Sequence, residues 1–288
     1  PMSASLIDGS GRAPRLKAPP RACETHSHIY GPFDRFPPRP DRKQHVEASL
    51  EAYEALLARL GFERGVIVQP SLYGSDNRCT LDAISRMGLH RARGLAVTEK
   101  DVTKAQMQAL HDAGIRGNRF YLIVDDFTVD DLEPMAAKAA DFGWHLQVQD
   151  DGAWIADLVD RLKALPVDVV IDHVGRTPAE NGVDDPDFQA MLKFFETGKL
   201  WIKISAPYLQ TTVGPPTYAD VGDKVRKLVE VRPDRLVWAA NWPHPNCPPD
   251  GKPEEADCLD PLLDWVPDEK TRNAILADNP AKLYDFED

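Results

Sequence analysis

Short apolar runs alternate with amphipathic segments along almost the whole chain, and this alternation restricts the folds that it can form. Several runs are rich in branched apolar residues, as expected of strands that are buried on both faces. The predicted strands are 22–28, 65–69, 92–97, 115–120, 144–149, 167–172, 200–205 and 236–239.

The segments between these runs carry apolar residues three and four positions apart, the spacing of an amphipathic helix. Helices are predicted at 50–60, 80–87, 104–113, 131–142, 154–165, 188–195, 218–231 and 268–277, the last ended by Asp-Asn-Pro at 278–280. Eight strands that each precede a helix predict an α/β fold of the (β/α)8 or TIM-barrel type.

The main alternative fold is an open doubly wound sheet, which would carry a Gly-rich phosphate-binding loop after its first strand. The corresponding residues here, 26–32, are His-Ser-His-Ile-Tyr-Gly-Pro. We therefore predict a single (β/α)8 domain over residues 21–288. A flexible N-terminal arm, residues 1–20, precedes it and is rich in Pro, Gly, Ser and basic residues.

The charge balance restricts the possible partners, because 34 Lys and Arg against 46 Asp and Glu give a net charge of −12. Nucleic acid is disfavoured, since phosphate binding needs clustered basic residues, but one or two local arginines can still bind a small anion. The sequence shows no apolar run long enough to cross a membrane, no apolar signal-peptide core and no Cys-x-x-Cys pair. These features favour a cytoplasmic protein with free thiols.

Three histidines stand at the carboxyl ends of predicted strands. His26 and His28 are two residues apart in the first strand, so their side chains share one face. His173 directly follows the sixth strand. Barrel enzymes keep their chemistry at this end of the strands. We therefore predict that these three histidines are catalytic, with buried structural histidines as the alternative.

An amide, Asn241, follows the eighth strand within the segment 238–246, Trp-Ala-Ala-Asn-Trp-Pro-His-Pro-Asn. An amide cannot take a proton from water, so a site built on Asn241 differs from one built on a carboxylate. We predict Asn241 as a catalytic residue. His244, whose direction is restricted by the flanking prolines, and Asn246 are predicted substrate contacts. A structural role is the alternative for His244.

Polar residues also follow other predicted strands. Arg119, after the fourth strand, carries the planar charged group that suits a carboxylate, although a structural ion pair is the alternative. Ser71, Tyr73 and Asn77 follow the second strand, where simple turn residues are equally expected. The same ambiguity applies to Ser205 and Tyr208 after the seventh strand. The predicted substrate contacts in this group are Tyr30, Ser71, Tyr73, Asn77, Arg119, Gln149 and Ser205.

Together these motifs resemble the amidohydrolase superfamily, and within it the lactone-processing branch of the 2-pyrone-4,6-dicarboxylate lactonase type. The resemblance is carried by His-x-His in the first strand, Ile-Asp-His-Val-Gly-Arg at 171–176 and Trp-Pro-His-Pro-Asn at 242–246. It extends from about residue 20 to the Asp-Asn-Pro-Ala-Lys-Leu-Tyr motif at 278–284. Further matching motifs lie at 29–32, 66–69, 74–77, 114–117 and 143–145.

The chain departs from this superfamily at two places. Metal-dependent members carry a lysine after the fourth strand and histidines after the fifth and sixth, whereas this chain has Arg119 and Gln149 and keeps only His173. His26, His28 and His173 could at most form a three-histidine zinc site, and the resemblance to the lactone branch implies an enzyme without metal or other cofactor. In the hydrolases, position 241 is an aspartate that takes the proton of the attacking water.

Loss of that aspartate disfavours hydrolysis and favours transfer of the lactone acyl group to a hydroxyl of the same molecule. The resemblance implies isomerisation of an aldaric-acid lactone, D-galactaro-1,5-lactone to D-galactaro-1,4-lactone, with Arg119 on the free carboxylate. Asn241 is expected to donate an amide hydrogen bond to the ring or to the developing oxyanion. Two alternatives remain: a lactonase for a sugar-acid or pyrone-dicarboxylate lactone, and an inactive sugar-acid-binding barrel. A hydrolase in which asparagine had been introduced in place of the aspartate at position 241 would have this same sequence.

Overall fold

The computed structural model describes residues 7–121, 127–149 and 155–287. Eight parallel strands follow one another in chain order around a single sheet. They are β1 Cys23–Ser27, β2 Arg64–Val68, β3 Ala92–Ala96, β4 Ile115–Tyr121, β5 His145–Gln149, β6 Val169–Ile171, β7 Leu200–Ile204 and β8 Leu236–Trp238. The predicted strand positions are confirmed, with ends that differ by one or two residues.

The sheet closes between its first and last strands. The backbone N–H of Asn241 donates to the carbonyl of His26 at 2.9 Å, and the N–H of His28 donates to the carbonyl of Trp242 at 2.9 Å. These bonds lie just beyond β8, so closure of the barrel holds the loop after β8 beside the two histidines of β1. The structure is the predicted (β/α)8 barrel.

Helices follow the strands and pack around the barrel. They are α1 Leu50–Leu60, α2 Arg78–Met87, α3 Lys104–Asp112, α4 Leu132–Ala140, α5 Ile155–Ala164, α6 Pro186–Glu196 and α7 Ala219–Val231. In α1, the Ser49 side chain accepts a hydrogen bond from the N–H of Ala52, and Gly61 ends the helix with a φ of 80°. The leucines and Tyr53 of its predicted apolar face are buried.

The helical region after β8 differs from the prediction of one helix at 268–277. It contains α8 Glu255–Leu259, α9 Leu262–Trp265, α10 Glu269–Asn273 and α11 Asn279–Leu283, with a π-helical turn, Ala274–Asp278, between the last two. Pro280 lies in the first turn of α11, directly after the π-helical turn, so the helical backbone continues through Asp-Asn-Pro. The prediction that Asp-Asn-Pro ends the helix is therefore wrong.

Side chains near the end of the chain fill the amino end of the barrel. Tyr284 is fully buried, and its ring centroid lies 5.6 Å from that of His145 on β5. Phe286 lies between the guanidinium groups of Arg64 and Arg93, at 4.7 and 4.6 Å from the ring centre. The amino end is thus packed by aromatic rings and arginines.

The described part of the N-terminal segment contacts the barrel. Leu16 is buried, and its N–H donates to Asp260 Oδ1 at 3.0 Å. Arg12 pairs with Asp257 and Asp260 at 2.7 and 2.9 Å. In the described ranges, no helix combines the length and apolar character needed to cross a membrane. The four cysteines are free thiols.

Candidate active site

Three buried histidine rings form the centre of the candidate site at the carboxyl end of the barrel. The ring centroid of His26 lies 5.0 Å from that of His28 and 5.3 Å from that of His173. The register between β1 and β2 shifts between Glu24 and Ser27, an irregularity of the kind that redirects side chains near active sites. The structure therefore brings the three predicted catalytic histidines together.

His28 is held as a neutral base. Its Nδ1 lies 2.7 Å from the carbonyl oxygen of Val68. A carbonyl oxygen only accepts, so Nδ1 carries the proton and Nε2 carries the lone pair. Burial, together with His26 and Arg119, lowers the pKa of His28 well below its usual 6.5. At neutral pH His28 can therefore accept a proton through Nε2.

The contacts of His173 favour a ring that donates a hydrogen bond, in contrast to His28, which accepts one. Its backbone N–H donates to Ser205 Oγ at 3.2 Å, and its Nδ1 lies 2.6 Å from the same oxygen. While it accepts from the backbone, this hydroxyl can donate its own proton to Nδ1, an arrangement that places the ring proton on Nε2. His173 has a φ of 53°, a conformation that non-glycine residues adopt mainly at constrained sites. In that arrangement His173 presents a donor at Nε2, and Ser205 orients the ring.

Beneath His26 lies a layer of polar side chains that the sequence analysis did not identify. The Nδ1 atom of His26 is 3.3 Å from Lys203 Nζ, 3.4 Å from Gln147 Nε2 and 3.5 Å from Asp172 Oδ1. Burial lowers the pKa of Lys203 to about 8, so the amine is largely charged at neutral pH. The available signal was a lysine inside an otherwise apolar strand, because burial of a charge is costly unless it is paired.

Arg119 lies inside the barrel beside the histidines. Its guanidinium donates to the carbonyl of Gln69 at 2.8 Å and to the side-chain oxygen of Gln149. These two bonds orient the guanidinium. The charge of Arg119 also contributes to the lowered pKa of His26 and of His28. Arg119 and Gln149 therefore occupy the predicted side of the site and make it cationic.

A series of hydrogen bonds runs from Asn241 away from the three clustered histidines and toward His244. Its Nδ2 donates to the Tyr208 hydroxyl at 2.8 Å, and that hydroxyl lies 2.9 Å from His244 Nδ1. Burial raises the pKa of Tyr208 well above its usual 10, so the phenol keeps its proton and donates it to His244. The Nε2–H of His244 then faces Glu255 Oε1 at 2.9 Å, and Glu255 pairs with Arg59.

This series of hydrogen bonds changes two expectations. Both ring nitrogens of His244 contact protein groups, which supports the structural role that the sequence left open rather than substrate contact. The amide nitrogen of Asn241 donates to Tyr208. The side-chain oxygen of Asn241, Oδ1, lies on the other branch of the amide and therefore points away from Tyr208. Asn241 is therefore arranged to accept a hydrogen bond through Oδ1. This differs from the expectation that its amide N–H donates to the substrate ring or to the developing oxyanion, because the amide nitrogen is used in the bond to Tyr208.

The predicted contacts after β2 bond mainly to the segments that follow β1 and β3. The Tyr73 hydroxyl accepts the N–H of Gly31 at 2.8 Å. Asn77 bonds both the carbonyl and the N–H of Val97, at 2.9 and 3.0 Å. Ser71 begins a short 3-10 helix. These bonds favour a structural role over substrate contact for Tyr73 and Asn77.

Two further predicted contacts differ in their distance from the site. Tyr30 is buried, and its ring stacks on that of His28 with centroids 6.1 Å apart and on that of His45 with centroids 5.0 Å apart. Asn246 is exposed on the loop after β8. Tyr30 thus forms a wall beside the base, and Asn246 lies outside the buried cluster.

The charges around the histidines do not suit a divalent metal. Across the described ranges, the possible ligand set is His26, Asp172 and His173, whose ligand atoms lie within 4.8 Å of one another. However, the Lys203 ammonium lies 3.3 Å from His26, and the Arg119 guanidinium lies in the same cavity. A dication would be repelled by both, and among the described residues this ligand set offers one carboxylate, that of Asp172, to offset them. The donor set therefore does not fit a resident metal.

A family model described as Amidohydrolase matches residues 23–286. The chain belongs to the amidohydrolase family. The matched range begins at the first residue of β1 and extends beyond Tyr284, so it covers the whole barrel. The family resemblance seen in the histidine motifs is thereby confirmed.

Two relatives support the lactone-processing branch, and one solved structure supports the fold. The 2-pyrone-4,6-dicarboxylate hydrolase of Comamonas testosteroni is 38% identical, covering 94% of this chain and 92% of that protein. The D-galactarolactone isomerase of Agrobacterium fabrum is 31% identical, covering 96% and 94%. A ligand-free crystal structure from Agrobacterium tumefaciens has a TM-score of 0.88 at 29% identity, covering 97% and 99%. One relative is a hydrolase and the other an isomerase, so the site itself must indicate the reaction.

Proposed function

We propose that this protein is an enzyme for small anionic lactones and that it isomerises its substrate by intramolecular acyl transfer. The observation that carries the proposal is Asn241, which stands beside the histidines where the resemblance places a hydrolase's aspartate. An amide oxygen can accept a hydrogen bond from a hydroxyl but cannot remove its proton. The site can therefore orient a hydroxyl at this position without generating hydroxide from water there.

Arg119 is the proposed binding group for the substrate carboxylate. Its planar group suits the two oxygens of a carboxylate, and Gln149 and the carbonyl of Gln69 hold it in place. A sugar diacid closed as a lactone combines a free carboxylate, a lactone carbonyl and several hydroxyls. The proposed reaction is the conversion of D-galactaro-1,5-lactone to D-galactaro-1,4-lactone.

The proposed steps use His28 as the proton acceptor and His173 as the hydrogen-bond donor. A substrate hydroxyl donates to Asn241 Oδ1 and then gives its proton to His28 Nε2 as its oxygen attacks the lactone carbonyl. The resulting oxyanion accepts a hydrogen bond from His173 Nε2–H. The ring C–O bond then breaks, and His28 returns the proton to the leaving oxygen. The product is an isomer of the substrate, and no water is consumed.

The gain from intramolecularity explains why a histidine suffices as the base. Well-oriented groups within one molecule react with effective concentrations of about 10⁵–10⁸ M, which corresponds to about 7–11 kcal/mol of barrier. Water held by an amide has no comparable advantage. The absence of a carboxylate at position 241 therefore penalises hydrolysis more than isomerisation.

Hydrolysis is the second candidate, because the 38% identical relative is a hydrolase. In that case His28 Nε2 would deprotonate a water molecule held by Asn241, and the product would be the open acid. A barrel that binds sugar acids without turnover is the third candidate.

An NMR time course with D-galactaro-1,5-lactone and with 2-pyrone-4,6-dicarboxylate separates these candidates. We expect the aldaric lactone to give the isomeric 1,4-lactone faster than the uncatalysed control. Direct formation of an open acid from either compound would favour the hydrolase instead. Unchanged compounds, with binding detected by calorimetry, would favour the inactive barrel.

A further inference from the structure

The proposed mechanism gives no role to a buried lysine beneath the site. Lys203 projects from β7 into the barrel and is fully buried. Its Nζ donates to the carbonyl of Thr25 at 2.7 Å and lies 3.3 Å from His26 Nδ1. It also lies 5.9 Å from the ring centre of Tyr284, which fills the amino end. Lys203 is therefore located between the packed amino end and the site histidines.

The groups around Nδ1 of His26 determine where this ring carries its proton. The ammonium of Lys203 has only hydrogens to offer, and the amide nitrogen of Gln147, at 3.4 Å, is also a donor. The acceptor nearby is Asp172 Oδ1, which is farther away at 3.5 Å. A proton on Nδ1 would face the hydrogens of the ammonium, so the lone pair belongs on Nδ1 and the proton on Nε2.

We propose that Lys203 is a positioning residue that holds His26 in its Nε2–H tautomer, so that His26 and His173 together donate hydrogen bonds to the reacting carbonyl oxygen. His26 Nε2 is buried and has no hydrogen-bond partner among the described residues. Its ring lies between the rings of His28 and His173. The use of this donor rests on the proposed function, whereas the tautomer itself does not.

Asp172 supplies the competing arrangement. Without the ammonium, Nδ1 of His26 would carry a proton and donate it to Asp172 Oδ1, and Nε2 would become an acceptor. An acceptor at that position would repel a developing oxyanion. Lys203 thus decides between a site with one base and two donors and a site with two acceptors.

The test is the tautomer of His26 at constant neutral pH in the ligand-free protein. Long-range proton–nitrogen NMR of ¹⁵N-histidine protein distinguishes a protonated ring nitrogen from an unprotonated one, and a His26→Gln variant assigns the signals. Lys203→Met removes the donor, and Lys203→Gln keeps a neutral donor. Lys224→Met is the matched control, because Lys224 is also buried but donates to Thr177 and to the carbonyl of Pro178.

We expect Nε2–H in the wild type, in Lys203→Gln and in Lys224→Met, and Nδ1–H in Lys203→Met. In the Lys203→Met variant kcat should fall about 10²-fold, the loss typical of one oxyanion donor, with little change in KM. Nδ1–H in the wild type, or Nε2–H in Lys203→Met, would overturn the proposal.

If Lys203→Met does not fold, the wild type and Lys203→Gln decide: Nε2–H in both supports the proposal, and Nδ1–H in either overturns it. These spectra need no substrate, so failure of the lactone assignment leaves them interpretable. Conversely, a wild type that isomerises lactone while carrying Nδ1–H would contradict only the role of Lys203.

Discussion

Arg116 and Arg119 lie on the same strand, β4, yet they serve opposite ends of the barrel. Arg116 pairs with the carboxylate of Asp285 at 3.0 Å and donates to the carbonyl of His111 at 2.7 Å. Arg119 donates to neutral amide oxygens beside the site histidines. The comparison shows that two arginines on one strand can contribute to different parts of the molecule, one to the packed amino end and one to the candidate site.

The arginines at the amino end of the barrel pack against the last residues of the chain. Arg93 is buried, and burial together with Arg116 lowers its pKa. The carbonyl of Asp285 accepts a hydrogen bond from Arg93 at 2.7 Å, and the carbonyl of Glu287 accepts one from Arg64 at 3.0 Å. These cations are therefore satisfied by the end of the chain. We expect substitutions here to change stability, and substitutions at the carboxyl end to change turnover.

Removal of the base at the carboxyl end should have the largest effect. We expect His28→Gln to lower kcat by about 10²–10⁴-fold, the contribution typical of a general base. Steady-state kinetics with the lactone would measure this loss. The lowered pKa of His28 also predicts that the acid limb of the wild-type kcat profile lies well below pH 6.5. A variant that retains wild-type kcat would exclude His28 as the base.

At the amino end, Phe286→Ala should cost about 3 kcal/mol of unfolding free energy, the lower part of the range for a buried phenylalanine. Its kcat/KM should stay at the wild-type value, because the ring contacts Arg64 and Arg93 and not the site. Urea unfolding monitored by circular dichroism measures the first quantity. Leu89→Ala, at an exposed position, is the control and should change stability by less than about 0.5 kcal/mol. Lost turnover in stable Phe286→Ala would contradict the division between the ends.

The matched pair on β4 tests the comparison directly. Arg119→Lys should raise the barrier for an acidic lactone by about 1.5–3 kcal/mol, the value of a charge-assisted hydrogen bond, because a point charge cannot replace the planar fork. A neutral ester of the same lactone should lose much less. Arg116→Lys should leave kcat/KM for both compounds unchanged. Equal losses on the acidic and neutral compounds would assign Arg119 a structural role.

Metal removal should have the smallest effect. Because Lys203 and Arg119 border the histidines, we expect kcat/KM to be unchanged after exhaustive treatment with a chelator. Elemental analysis of the treated protein confirms removal. Activity that is lost and then restored by Zn²⁺ would show that the cationic surroundings do not prevent metal binding.

Much of the fold could be predicted because strands and helices have different periodicities. The strands and helices through α7 follow from those patterns, and so does the convergence of His26, His28 and His173. The region after β8 could not be predicted in this way, since Pro280 can begin a helix as well as follow one. A sequence pattern indicates an element, but it does not show which of two compatible roles a proline has.

The polar layer beneath the site was harder to predict. Lys203 lies on β7 and Asp172 directly follows β6, and their proximity to His26 depends on the register of the closed barrel. Tyr208 was ambiguous in the sequence, and only the hydrogen bonds show that it connects Asn241 to His244. Such bonds join residues far apart in the chain, so local spacing carries no signal for them.

Product analysis in H₂¹⁸O tests the central claim most directly, with the Asn241 protein and Asn241→Asp measured in parallel. The account predicts that the Asn241 protein gives an isomeric lactone without ¹⁸O, because no water takes part. Asn241→Asp should form open diacid containing one ¹⁸O, and its isomerisation should fall, because a carboxylate repels the oxyanion. If the Asn241 protein itself forms ¹⁸O-labelled open acid as its direct product, it is a hydrolase. If it forms nothing and Asn241→Asp only hydrolyses, the asparagine stands in place of a hydrolase's aspartate; either result contradicts the account.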